Sequence, residues 1–139
     1  MTVGSLEEAV ENTIPVLAVT DMQASIRFYC EILGFTCDWG GNTATPRIAS
    51  VSRNGQAIML HHRTPALPGW VWIGGPGLVP LWNKIRLNGG ITVLQRPTNQ
   101  PWALEMRISD PDGNNLWFGT ESLANVPFGQ EPSDAELLG

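Results

Sequence analysis

The chain of 139 residues lacks features that several protein classes require. Only 15% of its residues are charged, and no apolar run approaches the roughly 18 residues that a membrane span needs. The first residues are acidic and do not form the basic and apolar regions of a secretory signal peptide. Two cysteines, Cys30 and Cys37, are too few for a disulfide framework and form no C-x-x-C pair. We therefore expect a globular cytoplasmic protein.

An excess of basic residues is also missing, because the net charge is −5 and the acidity lies at the two ends. Residues 1–13 contain three carboxylates and residues 126–139 contain three more, whereas residues 14–125 carry eight basic against seven acidic side chains. We expect two frayed acidic tails around a nearly neutral body. The basic residues are scattered along the chain, which argues against a nucleic-acid-binding surface.

The predicted secondary structure repeats one order of elements. Residues 14–63 read as a strand, a helix over 22–33 with Asp21 as N-cap, and three strands, and residues 69–121 show the same β-α-β-β-β order. A loop is predicted over 96–101 because of its two prolines. We predict one α+β domain over residues 14–125, in which two β-α-β-β-β modules form a curved mixed sheet.

Short motifs at both ends of this body are typical of one superfamily. Val19-Thr20-Asp21, Phe28-Tyr29 and Leu33-Gly34-Phe35 occur early, and Asp110-Pro111-Asp112-Gly113-Asn114 occurs late. With this order of elements the chain resembles the vicinal-oxygen-chelate superfamily, which includes glyoxalase I, extradiol dioxygenases, fosfomycin-inactivating transferases and bleomycin-resistance proteins. The resemblance covers about residues 14–121 and implies the fold of that superfamily, but it does not select one of its chemistries.

The superfamily's enzymes hold a divalent metal ion with residues of the first, fourth, fifth and eighth strands. Here the first-strand position is Ile14, the eighth-strand position is Trp117, and the fifth strand has no ligand. The fourth strand ends in His61-His62, whose side chains point to opposite faces of a strand. One ligand region of four cannot hold a catalytic metal ion, so we expect no metal and no cofactor. The histidines are either a strand-end pair or include one that lines a pocket as a donor or weak base.

Tryptophan is unusually frequent in a chain of this size. Trp82 falls in the second predicted helix and is assigned to the core. The other five lie on strands or in a loop before one: Trp39, Trp70, Trp72, Trp102 and Trp117. Indoles in place of charged ligands predict stacking and cation–π contact with a flat, polarisable or cationic small molecule. The alternative is a tryptophan-rich core that fills a redundant pocket.

The likeness is strongest to the bleomycin-resistance proteins, through Pro15-Val16-Leu17, Trp70-Val71-Trp72-Ile73 and Gln100-Pro101-Trp102. This resemblance implies a homodimer that sequesters a bleomycin-type antibiotic in grooves between its subunits, without catalysis. By position, Trp70 would stack on the ligand and Trp102 would wall the groove. The further candidate ligand-binding residues are Trp72, Trp39, Trp117 and Glu105.

Two other functions remain open from the sequence. One is a glyoxalase- or dioxygenase-like enzyme of the same fold, with unusual metal ligands or with His61 or His62 as a metal-free base. The other is an assembly partner whose pocket is filled by its own indoles.

Overall fold

The computed structural model describes residues 4, 5, 7 and 9–138, so Glu8 of the predicted N-terminal tail lies outside the described residues. The strands are Val16–Val19 (β1), Thr36–Trp39 (β2), Ile48–Arg53 (β3), Gln56–His62 (β4), Trp70–Gly74 (β5), Thr92–Asn99 (β6), Leu104–Ser109 (β7) and Asn115–Thr120 (β8). The helices are Met22–Arg27 (α1), Leu78–Asn88 (α2) and Asp134–Leu138 (α3).

The strands form two four-stranded sheets with the orders β1-β4-β3-β2 and β5-β8-β7-β6. The first strand of each sheet runs parallel to the last strand of its module, and the other neighbours are antiparallel. This arrangement confirms the predicted α+β fold with two β-α-β-β-β modules. Within the described residues, no helix is long and apolar enough to cross a membrane.

The two modules share one hydrophobic core beneath the helices. Alternate residues of β1 and β4, such as Leu17, Val19 and Leu60, are buried in it, and so are Met106 and Leu116 of the second sheet. Strand residues two apart point to the same face, so each sheet buries one face and leaves the other for different contacts. Burial of the helical Trp82, which is 4% exposed, confirms its assignment to the core.

The first helix begins as predicted but changes its winding. The Asp21 carboxylate accepts a hydrogen bond from the Ala24 amide at 3.0 Å, which satisfies a free N–H of the first turn. The α-helix ends at Arg27 and continues as a π-helical segment over Phe28–Ile32. This segment places the buried ring of Tyr29 toward the second module.

A buried polar cluster joins the two modules. The Asn114 side-chain amide donates to Ala18 O in β1 at 2.9 Å and accepts from the Gly69 amide, next to β5, at 2.7 Å. The Asp110 carboxylate accepts from the Asn114 amide and from the Tyr29 hydroxyl, each at 2.8 Å. Burial raises the pKa of the Tyr29 hydroxyl well above its usual value, and the adjacent Asp110 raises it further. This cluster holds the first strands of the two modules at a common point.

The predicted loop over 96–101 is wrong, because β6 extends through Pro97 to Asn99. The register of β6 against β7 shifts between Gln95 and Thr98. At such an irregularity a residue without an N–H disrupts little of the hydrogen-bond ladder.

The first residues of the C-terminal tail, expected from the sequence to be frayed, are hydrogen-bonded to β6. The Asn99 amide donates to Gln130 O at 2.9 Å, and the Gly129 amide donates to Asn99 O at 2.7 Å. The buried Asn99 side chain also donates to the carbonyls of Leu123 and Val126. These bonds hold the segment after β8 against β6.

Candidate functional site

One face of the second sheet carries aromatic and charged side chains, whereas the opposite face is apolar. On β5 it presents Trp70 and Trp72, on β8 Trp117, and on β7 Glu105 and Arg107; we call this set the tryptophan face. Trp117 lies between Trp72 and Arg107 in the strand register, so the three form one row across the sheet. The residues between them in sequence point into the core.

The three indoles of this face are packed edge to face and remain accessible. The ring centroids of Trp72 and Trp117 lie 5.2 Å apart, and those of Trp70 and Trp117 lie 6.1 Å apart. Trp70 is 59% exposed and Trp72 is 48% exposed. Aromatic pairs in this geometry hold one another in place. The indoles therefore form an ordered surface and not a filled interior.

The position of the Trp72 ring depends on a glycine of the neighbouring strand. A Cβ atom added at Gly119 would lie 2.1 Å from Cη2 and 2.2 Å from Cζ2 of Trp72. No residue larger than glycine leaves room for the indole there. The ring therefore rests on the backbone of β8 on one side, and its exposure comes from the side that faces away from the sheet.

Glu105 is an almost fully buried carboxylate that anchors two indoles. Its Oε2 atom accepts hydrogen bonds from Nε1 of Trp117 at 2.8 Å and from Nε1 of Trp102 at 3.0 Å. Gln95 donates to the other oxygen at 3.4 Å. Trp102, in the loop before β7, is thereby fixed at the edge of the tryptophan face while remaining 66% exposed.

Arg107 supplies a positive charge to the indoles. Its Cζ atom lies 4.2 Å from the ring centroid of Trp117 and 5.4 Å from that of Trp70. A guanidinium at these distances is attracted by the ring quadrupole. The cation–π contacts predicted for a ligand are therefore already made by a side chain of the protein.

Five of the six predicted ligand-binding residues come together here: Trp70, Trp72, Trp102, Glu105 and Trp117. The structure does not bring Trp39 to this group, because it lies on β2, an edge strand of the other sheet. Sequence reasoning missed Arg107 and Gly119. Strand alternation could have identified both, since each lies two residues after a residue already placed on this face.

The chain matches one protein-family model and resembles solved structures. The model of the Glyoxalase/Bleomycin resistance protein/Dioxygenase superfamily matches residues 12–69. The predicted resemblance to this superfamily is confirmed. Comparison with curated protein sequences gives no match.

Three solved structures show the same fold. TioX from Micromonospora sp. ML1 is 15% identical with a TM-score of 0.70, over 81% of this chain and 99% of its own. TnmS3, an antibiotic binding protein from Streptomyces sp. CB03234, is 22% identical with a TM-score of 0.68, over 82% and 98%. The bleomycin-binding protein from bleomycin-producing Streptomyces verticillus, complexed with copper(II)-bleomycin, is 20% identical with a TM-score of 0.58, over 81% and 97%. At these identities the likeness shows the fold alone.

The metal positions implied by the superfamily carry no metal-binding set. In the part of the chain that the structure describes, no group of three or more His, Cys, Asp or Glu side chains is placed to hold a metal ion. Trp117 is engaged with Glu105 and Arg107, and Ile14 is apolar. The residues present therefore do not fit the divalent ion of the superfamily's enzymes.

A separate cleft of about 460 Å³ lies where the linker between the modules passes β1. His61 lines it together with Val16, Ala18 and Arg63, whereas no tryptophan does. His62 lines a neighbouring hollow with Arg47, and His61 and Arg63 line that hollow as well. His61 thus faces a cavity, but without an acidic partner among the residues that line it.

Proposed function

We propose that this chain binds and sequesters a planar aromatic small molecule on the tryptophan face, without a metal ion. The observation that carries this proposal is the position of the Trp72 ring. One face of the ring packs on Gly119, and the other face is accessible to solvent. A flat ring supported from behind offers a rigid stacking surface at little cost in side-chain entropy. Trp70 and Trp102 extend that surface on either side.

The exposure of these indoles favours binding over the role of an assembly partner with a filled pocket. A tryptophan that merely fills a core is nearly inaccessible, as Trp82 is. Trp70 and Trp72 each keep about half of their surface exposed instead. Exposed aromatic clusters of this kind mark interaction sites in proteins.

A homodimer in the cytoplasm is part of this proposal. Small-molecule sites are concave, whereas the tryptophan face is one side of an open sheet. A second copy of the chain would supply the opposite wall and close a groove. Light scattering would then give about twice the 15.1 kDa of one chain. A monomer at all concentrations would remove this part of the proposal.

The bleomycin-type antibiotics are the ligand class that the sequence motifs predict. The solved neighbours described as antibiotic binding and bleomycin-binding support an antibiotic as the ligand. The cationic charge predicted from the tryptophan content has less support, because Arg107 already lies on the indole faces. The proposed ligand is therefore defined by its planar aromatic ring system and not by its charge.

An enzyme with His61 as a base is the second candidate, because His61 lines a cleft beside Arg63. On this alternative the histidine would act without a metal ion on a substrate in that cleft. It predicts turnover, and His61→Asn would abolish it. Under the primary proposal His61→Asn leaves ligand binding unchanged.

The proposal is tested by titrating EDTA-treated protein with two probes, metal-free bleomycin and the uncharged planar molecule anthraquinone-2-carboxamide. Saturable quenching of tryptophan fluorescence at about one molecule per chain supports sequestration. Trp72→Ala should abolish the quenching, and Trp39→Ala, on the other sheet, should not. If only the anthraquinone quenches the fluorescence, the site binds a planar molecule but bleomycin is not its ligand. No response to either probe would contradict the proposal.

A further inference from the structure

We infer that the ligand of the tryptophan face carries an acidic group, a carboxylate or an acidic phenol on its aromatic ring, and that Arg107 binds this group. The inference rests on the proposed function and adds the charge of the ligand to it. The charge is opposite to that of the cationic ligand that is expected from the sequence.

Arg107 has no counter-ion within the described residues. The ion pairs found there, Arg86–Asp134 and Arg96–Glu131, do not include Arg107. The Nε atom of Arg107 is buried and has no hydrogen-bond partner among the described residues. The two terminal nitrogens also form no hydrogen bond there, but they are accessible to solvent. The indoles thus hold the guanidinium in place, while its terminal nitrogens remain free to donate hydrogen bonds to an acceptor from outside the chain.

The nearest carboxylate on the same face is already engaged. Glu105 accepts hydrogen bonds from Trp102 and Trp117 on one oxygen and from Gln95 on the other. It forms no ion pair with Arg107, although the two residues are neighbours on one face of β7. Glu105 therefore orients the indoles, and the charge of Arg107 remains available.

A cationic ligand would be disfavoured at this site. It would have to share the faces of Trp70 and Trp117 with a guanidinium whose Cζ lies 5.4 and 4.2 Å from the two ring centroids. Like charges at this separation repel, most strongly where water is excluded. An anionic group would instead pair with the terminal nitrogens.

The row across the sheet sets the shape of the ligand. Trp72, Trp117 and Arg107 are consecutive partners on β5, β8 and β7, so Trp72 and Arg107 are about 10 Å apart at the backbone. A fused ring system of two or three rings on Trp72 would place a ring substituent near Arg107. The planar fork of a guanidinium matches the two oxygens of a carboxylate.

Three probes that differ only in charge test the inference. They are anthraquinone-2-carboxylate, anthraquinone-2-carboxamide and protonated 2-aminomethylanthraquinone, with binding measured by equilibrium dialysis so that altered indole emission does not interfere. The protein variants are Arg107→Met and, as a matched control on the opposite side of the second module, Arg86→Met. We expect the wild type to bind the carboxylate at least about tenfold more tightly than the amide, and the amine most weakly.

Arg107→Met should make the affinities of carboxylate and amide equal, and Arg86→Met should preserve the preference. The order of affinities in the wild type tests the inference even if Arg107→Met fails to fold. Binding of the amine equal to or tighter than that of the carboxylate would overturn the inference and leave the planar site intact, as would a preference that survives Arg107→Met. Failure of all three probes to bind would overturn both the inference and the proposed function.

Discussion

The tryptophans of this chain differ in exposure, and this difference distinguishes those in the core from those on the surface. Trp82 is 4% exposed and packs among core residues, whereas Trp70 is 59% exposed on the sheet. Trp82→Ala should therefore lower the free energy of unfolding by about 3–5 kcal/mol, the usual cost of emptying a core aromatic site.

Trp70→Ala should lower the free energy of unfolding by only about 1–2 kcal/mol, because more than half of the surface of Trp70 stays exposed in the folded protein. Urea denaturation of the two variants side by side measures both values. A loss at Trp70 as large as that at Trp82 would place Trp70 in the core and support the assembly-partner alternative.

Glu105 illustrates how a buried charged group can organise a surface. In Glu105→Ala the indole N–H of Trp117 loses its acceptor inside the fold, and that of Trp102 loses it at the edge. We expect a loss of about 1–3 kcal/mol in the free energy of unfolding. Near-ultraviolet circular dichroism should also change as Trp102 becomes mobile. The exposed Glu121→Ala is the control, and an equal effect there would contradict this role.

At the scale of the element, strand β8 determines where the indole of β5 lies. Alanine at Gly119 is compatible with its backbone conformation but occupies the space of the Trp72 ring. Because the ring can swing away from the sheet, Gly119→Ala should cost only about 1 kcal/mol of stability. It should nevertheless abolish binding of the planar probe, since the stacking surface is lost.

Gly77→Ala is the matched control for this variant, because a Cβ there meets no atom within 4 Å. Fluorescence titration of both variants with anthraquinone-2-carboxamide makes the comparison. Unchanged affinity in Gly119→Ala would show that Trp72 is not the stacking surface.

Elements were predictable where short-range patterns determine them. Asp21 caps a helix, and the turn at Asp110–Asn114 joins two strands, because each of these depends on neighbours within a few residues. The full length of β6 was not predictable, since Pro97 ordinarily ends a strand and is tolerated here only through a register shift against β7. The pairing of Asn99 with Gln130 joins segments that are distant in sequence, so no local sequence pattern predicts it.

The candidate site was predictable in its position and not in its charge. Trp70 and Trp72 are two residues apart on one strand, so their common face follows from strand geometry. Arg107 was not predictable as a site residue, because in the sequence it is one of several scattered basic residues. Its significance depends on the order of β5, β8 and β7, which brings it beside Trp117.

At the scale of the whole molecule, the cluster of Tyr29, Asp110 and Asn114 couples the two modules and makes stability depend on pH. Burial raises the pKa of Tyr29 above its value in the unfolded chain. The unfolded state therefore releases this proton first as the pH rises. Stability is fully present below about pH 10 and falls as the pH rises toward the folded pKa.

Tyr29 is the single tyrosine of the chain, so its ionisation can be followed directly by tyrosinate absorbance. We expect no tyrosinate signal at pH 10 in the folded protein and a signal in urea. Tyr29→Phe should flatten the loss of stability above this pH. A normal titration in the folded state would contradict the buried contact with Asp110.

The central claim is that the tryptophan face binds a planar aromatic molecule without a metal ion. It is tested most directly by fluorescence titration of EDTA-treated protein with anthraquinone-2-carboxamide, repeated after divalent metal ions are restored. The account predicts saturable quenching at about one molecule per chain, with the same affinity in both conditions. Binding that appears only after metal is restored would contradict it and point to an enzyme-like metal site.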